Sequence, residues 1–314
     1  MKLSLIVPCY NEQDNIVPMC EAIKGAFKSG FDYEIIFVND GSVDKTVMTI
    51  KTAQKERNEN IKLVNLSRNF GKESAIFAGL SESRGDYVSI IDADLQQDPK
   101  IVSDMVKILD DDCEVDCVAA YQETRHEGKL LAFYKNCFYK LINKMTEINF
   151  KQGASDFRTM RRTMVDAILQ MQEYYRFSKG IFSWVGFNTK YIPYEAKERH
   201  SGKSKWSFWK LFKYAFEGII SFSTMPLRIA TVVGVLTSFI SSAYMLIVIV
   251  QKLFFGISTS GYATIVVLIL LLGGLQLFAL GILGEYIARN YVETKKRPIY
   301  IAKEIIDYEN GKNK

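Results

Sequence analysis

The chain has 314 residues, enough to bury a sizeable core in one large domain or two ordinary ones. Hydrophobic residues make up 48% of it, high for a wholly soluble enzyme, so a polar part must be averaged with an apolar one. The net charge of +5 is modest, and no nucleic-acid partner is expected.

Over the first 120 residues, short β-rich runs alternate with amphipathic stretches of helical period. Leu3–Val7 is followed by a predicted helix over Gln13–Lys28, Tyr33–Val38 by Lys45–Arg57, Lys62–Leu66 by Lys72–Ser83, and Tyr87–Ile91 by Pro99–Asp110, with Val115–Tyr121 a fifth strand. Strand–helix repetition of this kind predicts a mainly parallel, Rossmann-like α/β sheet with helices on both faces. Ligands of such sheets sit at the carboxyl ends of the strands. A helical stretch follows Gly128 as far as Met145, Asp156–Arg162 is a strand entering a helix over Met164–Met171, and Asn188–Ala196 is a last strand. Cys9, Cys20, Cys113, Cys117 and Cys137 follow no zinc-ligand pattern beyond the weak pair Cys113 and Cys117, four residues apart, and read as reduced, buried thiols of a cytosolic head.

Beyond the loop Lys197–Lys205 lies Trp206–Phe222, with aromatics and leucines among Lys210, Lys213 and Glu217. Such a segment suits a helix lying in a bilayer interface, and packing on the head is compatible with that. Between Lys197 and Lys213 six basic residues stand against one acid, which suits anionic lipid or a merely solvated face. No charge then occurs between Arg228 and Lys252, or from Leu253 to Gly284. A bilayer span needs about 20 apolar residues, so two spans are placed near Ile229–Val250 and Ala263–Leu283. Arg228, Arg289 and the run Lys295, Lys296, Arg297 flank them on one side, which predicts cytoplasmic termini. The organisation expected is a head over 1–205, an interfacial helix over 206–227, a transmembrane hairpin over 228–289 and a tail over 290–314. The apolar run before Pro8 is too short for a secretory signal, so the head is expected to stay in the cytoplasm.

The strongest local signal is DADLQQDP, Asp92–Pro99, directly after an apolar strand. Two carboxylates one residue apart at a strand end can converge on one hard cation, and Asp92 and Asp94 with amide oxygens suit magnesium or manganese. Asp98 already serves as cap to the helix that Pro99 opens, so capping does not explain the other two. VNDGS, Val38–Ser42, is another strand exit, where Gly41 permits a tight turn and Asp40 and Ser42 can bond a ribose, a base or the next helix. VPCYNE, Val7–Glu12, is a third, stiffened by Pro8.

VPCYNE, VNDGS and DADLQ together resemble the inverting family-2 glycosyltransferases of GT-A fold. LSRNFGKE, Leu66–Glu73, and SDFRTMRR, Ser155–Arg162, followed by two spans, resemble its polyprenyl-phosphate branch, the bactoprenol glucosyltransferases and their dolichol-phosphate mannose synthase cousins. The resemblance implies that Pro8, Tyr10, Glu12, Asp40 and Ser42 line the nucleoside pocket. It implies that Lys72, Asp92, Ala93, Asp94 and Gln96 meet the nucleotide-sugar, with Asp92, Asp94 and Gln96 at the metal, and that Asp156 and Arg158 stand at the reacting sugar. The activity implied is inverting transfer from a UDP-hexose such as UDP-glucose to undecaprenyl phosphate. It would occur at the cytoplasmic face of a bacterial inner membrane and serve envelope glycan modification. By resemblance the partners are the donor, the lipid acceptor, the bilayer, further copies in a tetramer, and a flippase and downstream glycosyltransferase of one pathway. In the loop Glu198–Trp206, Arg199 offers a planar fork to phosphate, Lys205 a compact charge, and Ser201 and Gly202 a backbone able to close over it.

Two rivals share part of this pattern. A processive polysaccharide synthase uses the same donor motifs, but no QxxRW motif occurs and two spans are too few for a glycan channel. A catalytically silent nucleotide-sugar-binding scaffold is opposed by the complete DAD and DFR segments.

Overall fold

The computed structural model describes residues 2–27, 31–57, 60–122, 154–195, 220–255 and 261–308. The expected helix ending at Met145, the loop carrying Arg199, Ser201 and Lys205, most of the interfacial segment, the connector 256–260 and Cys137 lie outside them.

Strand β1 (Leu3–Cys9) leads into α1 (Ile16–Ala26), β2 (Tyr33–Asn39) into α2 (Thr46–Glu56), β3 (Ile61–Leu66) into α3 (Lys72–Glu82), and β4 (Tyr87–Ile90) into α4 (Pro99–Asp111). Then follow β5 (Cys117–Gln122), β6 (Ala154–Arg161), α5 (Arg162–Gln170), α6 (Ser178–Trp184) and β7 (Thr189–Tyr194). Two long helices, α7 (Met225–Phe255) and α8 (Tyr262–Thr294), precede a final strand β8 (Ala302–Ile306). The eight strands form one sheet in the order β7-β5-β6-β4-β1-β2-β3-β8. Neighbours among β1 to β4 are parallel, as are β5 and β7, while β6 and β8 run against their neighbours. The sheet is thus mostly parallel, as the alternation predicts, with antiparallel pairing added by β6 and β8.

Strand β1 is central, and its residues are buried on both faces, which is why it reads as an unbroken apolar run. Leu3, Leu5 and Val7 join the core under α1, α2 and α4, while Ile6 joins the core under α3, α5 and α6. Helix α3 comes very close to the sheet: a β-carbon on Gly79 would lie 2.3 Å from Ile6 Cγ2. Helix α4 begins as the sequence predicts, with Asp98 accepting from the Lys100 amide and Pro99 in the first turn.

Helices α7 and α8 run 31 and 33 residues, roughly 47 to 50 Å at 1.5 Å per residue, longer than the ~30 Å hydrocarbon thickness. They expose large apolar side chains along their length, Phe239 and Leu277 at 72% each. Both are long and apolar enough to cross a membrane.

The segment after α8 does more than trail away. Helix α8 continues past 289 to Thr294, and β8 then pairs antiparallel with the edge strand β3, Val64 opposite Ile305. Lys51 binds Glu304 at 2.7 Å and Arg84 binds Asp307 at 2.7 Å. The buried ammonium of Lys62 is held by Glu82 at 2.7 Å and faces Asp307 at 3.7 Å. At the other end of this junction, Tyr174 N donates to Glu293 Oε1 at 2.9 Å and Arg289 donates to Ser221 Oγ at 2.9 Å. Ile220 is buried, and Phe222 packs against Phe177, so the last turn of the segment expected at the bilayer interface rests on the head.

Candidate active site

The carboxyl ends of β1 and β2 are knitted to each other before they can meet a ligand. Asn11 adopts a left-handed backbone (φ 55°), which turns its amide toward Ser42 Oγ at 2.9 Å and its own Oδ1 toward the Val43 amide at 2.9 Å. Glu12 accepts from Asn15 Nδ2 at 2.6 Å, and its amide donates to Thr46 Oγ1 at 2.9 Å. Pro8 pairs with Val38 in the β1–β2 register, and Tyr10 stands exposed at the rim. Gly41 (φ 68°) lies against the loop after β3, where a β-carbon would sit 2.4 Å from the Arg68 carbonyl carbon. That closeness brings the buried Asp40 carboxylate onto the amides of Phe70, at 2.6 Å, and Gly71, at 3.0 Å. Burial pushes the Asp40 pKa up, and the two amides only partly oppose it. Ser42 and Asp40 thus shape the cleft by holding loops, and Asn39, fully inside, bonds Asn65 across β2 and β3 at 2.8 Å.

Beside them, at the end of β4, three charged groups from distant parts of the chain meet. Lys72, the first residue of α3, places Nζ 2.7 Å from Asp92 Oδ1 and 3.0 Å from Asp156 Oδ2. The other oxygen of Asp92 accepts from Gln97 Nε2 at 3.1 Å, and Gln97 Oε1 in turn accepts from the Asp92 amide at 2.9 Å. Ala93 is buried in the core. Leu95 is left-handed (φ 60°), and the bend lets Asp94 Oδ1 accept from the Gln96 amide at 3.2 Å.

Asp156 has one oxygen on Lys72, while its Oδ1 is buried with no hydrogen-bond partner among the described residues. Burial works to raise its pKa, but Lys72, Lys179 and Arg158 outweigh that and hold it at about 2. On Lys72 burial works downward, and Asp156 and Asp92 overcome it, raising the ammonium well above its ordinary value. Glu73 accepts from the backbone amide of Ser178 at 2.9 Å and from its hydroxyl, tying α3 to the start of α6. Burial and the nearby Asp156 lift the Glu73 pKa to about 7. Arg158, two residues along β6 from Asp156, is only 4% exposed; its guanidinium lies 3.8 Å from the Phe182 ring centre and donates to the Ser155 carbonyl at 2.9 Å.

Of the residues the sequence singled out, the fold therefore assembles Lys72, Asp92 and Asp156, sets Asp94 and Gln96 on the adjoining turn, and puts Arg158 beneath them behind Phe182. Gln97, Glu73 and Ser178 were not anticipated. The pair Gln96–Gln97 was visible in the sequence, but a turn with a left-handed residue has no periodicity to tell which of two glutamines points inward. No cluster of three or more metal-ligating side chains occurs among the described residues. Two carboxylates and an amide nevertheless fit a hard cation that completes its shell with phosphate oxygens and water, and the Asp92 oxygen already carries a cationic partner in Lys72.

A mostly parallel sheet with its polar loops gathered at the carboxyl ends of the strands, and a lysine-bridged carboxylate pair at one of them, defines an α/β protein with a candidate ligand site at that edge. Residues 4–169 match glycosyl transferase family 2, and residues 225–289 match the GtrB C-terminal hairpin. The chain belongs to glycosyl transferase family 2 and has the GT-A-like fold expected of it. It is 42% identical to CsbB of Bacillus subtilis (strain 168), described as a glycosyltransferase, over 96% of this chain and 91% of that one. It is 39% identical to the prophage bactoprenol glucosyl transferase homolog of Escherichia coli (strain K12), over 97% and 99%. Among solved structures, the glucosyl-3-phosphoglycerate synthase of Mycobacterium tuberculosis is similar over 70% of this chain and 77% of its own, with TM-score 0.47 and 17% identity.

Proposed function

We propose that this glycosyltransferase moves a hexose, with inversion, from a UDP-sugar of the UDP-glucose kind to a polyprenyl phosphate such as undecaprenyl phosphate. The observation that carries the reading is the Lys72–Asp92–Asp156 cluster on a head that shares its sheet with the segment following two apolar helices. A lipid acceptor needs its phosphate brought to a cleft that stands by the bilayer, and a head fastened to the hairpin at both ends meets that need. The relatives named as bactoprenol glucosyl transferases cover almost the full chain and support the same acceptor class. Because β1 and β8 belong to one sheet, the head and the segment after α8 lie on the same side of any bilayer that α7 and α8 cross. With the flanking basic residues, that side is the cytoplasmic one.

When bound at Asp92, Asp94 and Gln96, magnesium or manganese would neutralise charge gathering on the departing nucleoside diphosphate. The protein's own groups do the rest. Lys72 offers a cation between the diphosphate end and the acceptor end of the cleft. Asp156, with a pKa of about 2, is ionised at neutral pH and is a poor proton acceptor. A phosphate monoester has its second pKa near about 6 and is largely a dianion at pH 7, so it attacks the anomeric carbon without surrendering a proton. Asp156 therefore orients Lys72 and stabilises positive charge on the sugar, with the Arg158 charge helping to keep it ionised. Tyr10 and Pro8 border the nucleoside.

The purified full chain should be incubated with undecaprenyl phosphate and a panel of UDP- and GDP-sugars, and the lipid product identified by mass spectrometry. A polyprenyl monophosphate-linked hexose is expected. Elongation of a glycan, or binding of nucleotide-sugar without turnover, would overturn the assignment.

A further inference from the structure

We propose that Lys72 is a built-in countercation that competes with the divalent metal for Asp92, and that metal binding hands its ammonium to Asp156 and the incoming acceptor phosphate. The inference deepens the site reading above and rests on Asp92 being a metal ligand.

Three features point this way. The ammonium bridges two carboxylates from different strands, 2.7 Å from Asp92 and 3.0 Å from Asp156, so one cation satisfies both when nothing else does. Without it, a 14% exposed Asp156 and the nearby Asp92 would face each other with no intervening positive charge. The two partners are also unequal in their alternatives. Asp92 is fixed by Gln97 through both its carboxylate and its amide, so it can exchange its cation without moving. Asp156 holds Lys72 through Oδ2 at 3.0 Å, an independent contact that can retain the ammonium when Asp92 exchanges its cation. Finally, the Lys72 side chain is 44% exposed and is anchored at the start of α3 behind Gly71, whose positive φ (97°) sets the entry of the helix. A long flexible stem leaving a fixed helix start lets the head swing while the backbone stays in place.

A divalent ion on Asp92 repels an ammonium on the same carboxylate. For charges of +2 and +1 about 4 Å apart, even with water-like screening, this lowers metal affinity by about tenfold to thirtyfold. Removing the ammonium should therefore tighten metal binding while damaging turnover, a combination of signs that simple loss of structure does not produce.

The test is a titration of Mn2+ against full-length protein in neutral detergent, without nucleotide, with free Mn2+ read by electron paramagnetic resonance. Lys72→Gln and Lys72→Met are expected to bind Mn2+ at least about tenfold more tightly than wild type, and Lys72→Arg to stay near it. At saturating metal, both neutral variants should turn over slowly. Unchanged or weaker Mn2+ binding in folded neutral variants overturns the proposal. If neither folds, wild-type protein with 13C-labelled lysine side chains answers instead: the Lys72 signal, assigned with Lys72→Arg, should move on saturation with Mg2+, and a signal that stays overturns the exchange. Asp92→Asn separates the two levels. If it leaves Mn2+ affinity intact, the metal assignment is what fails.

Discussion

Replacing Asp156 by asparagine removes one charge and keeps the shape of the side chain. In the folded protein burial opposes ionisation, but Lys72, Lys179 and Arg158 prevail and bring the pKa from 3.8 to about 2. Because the folded pKa lies below the unfolded one, this stabilisation is fully present above about pH 4 and is lost as pH falls through about 2. The shift corresponds to about 2 kcal/mol at pH 7, and a side chain 14% exposed loses little of it to solvent screening. Asp156→Asn should thus destabilise the head by about 2 kcal/mol at pH 7. Should the same interaction act on positive charge in the transition state, turnover falls by about thirtyfold. Donor affinity, which the proposed site assigns to the other loops, should change by less than about threefold. Thermal melts, calorimetric titration with UDP-glucose, and single-turnover assays on one preparation give the three quantities. A fall in donor affinity as large as the fall in turnover would refute the role assigned to this carboxylate.

Asp92→Asn and Asp94→Asn should each bring turnover near to background, and EDTA should silence the wild type until Mg2+ or Mn2+ is restored; full activity in EDTA excludes the metal site. Glu73 has its pKa raised from 4.5 to about 7, so the protonated form is favoured in the fold and stability declines as pH rises through that interval. Glu73→Gln, which keeps an acceptor for Ser178, should flatten that decline in melts at pH 5 to 8, and an unaltered pH profile would contradict it. Gly79→Ala places a methyl 2.3 Å from Ile6 Cγ2, a stiff, buried, branched side chain, and should cost about 1–3 kcal/mol in denaturant titrations, with little effect on turnover per folded molecule. A cysteine at Ser258, in the connector, should react with an impermeant reagent outside intact cells, whereas labelling of a C-terminal tag there would reverse the topology.

The sequence by itself determined most of the scaffold. Apolar strands at regular spacing, amphipathic helices between them, and two uncharged stretches are local patterns, each imposed by the medium its residues must face, so periodicity alone revealed β1 to β4, α1 to α4 and both long helices. It also marked Asp92 and Asp94 as candidates, because carboxylates at a strand end face the opening of a parallel sheet, whereas Asp156 was singled out only by the resemblance of SDFRTMRR to a family motif. What tertiary structure alone decided is who meets whom. Lys72 and Asp156 are 84 positions apart (156 minus 72), and no local pattern announces that α3 and β6 deliver them to one point. The same holds for Glu73 with Ser178, and for Gln97, whose inward direction depends on the left-handed Leu95. Strand β8 is the clearest case. Ala302–Ile306 is five residues of weak alternation, and it becomes a strand because β3 leaves an unpaired edge beside it and because Lys51, Lys62 and Arg84 await Glu304 and Asp307. Pairing across more than two hundred residues is a property of the folded sheet, since its hydrogen bonds exist only once the edge that offers them has formed.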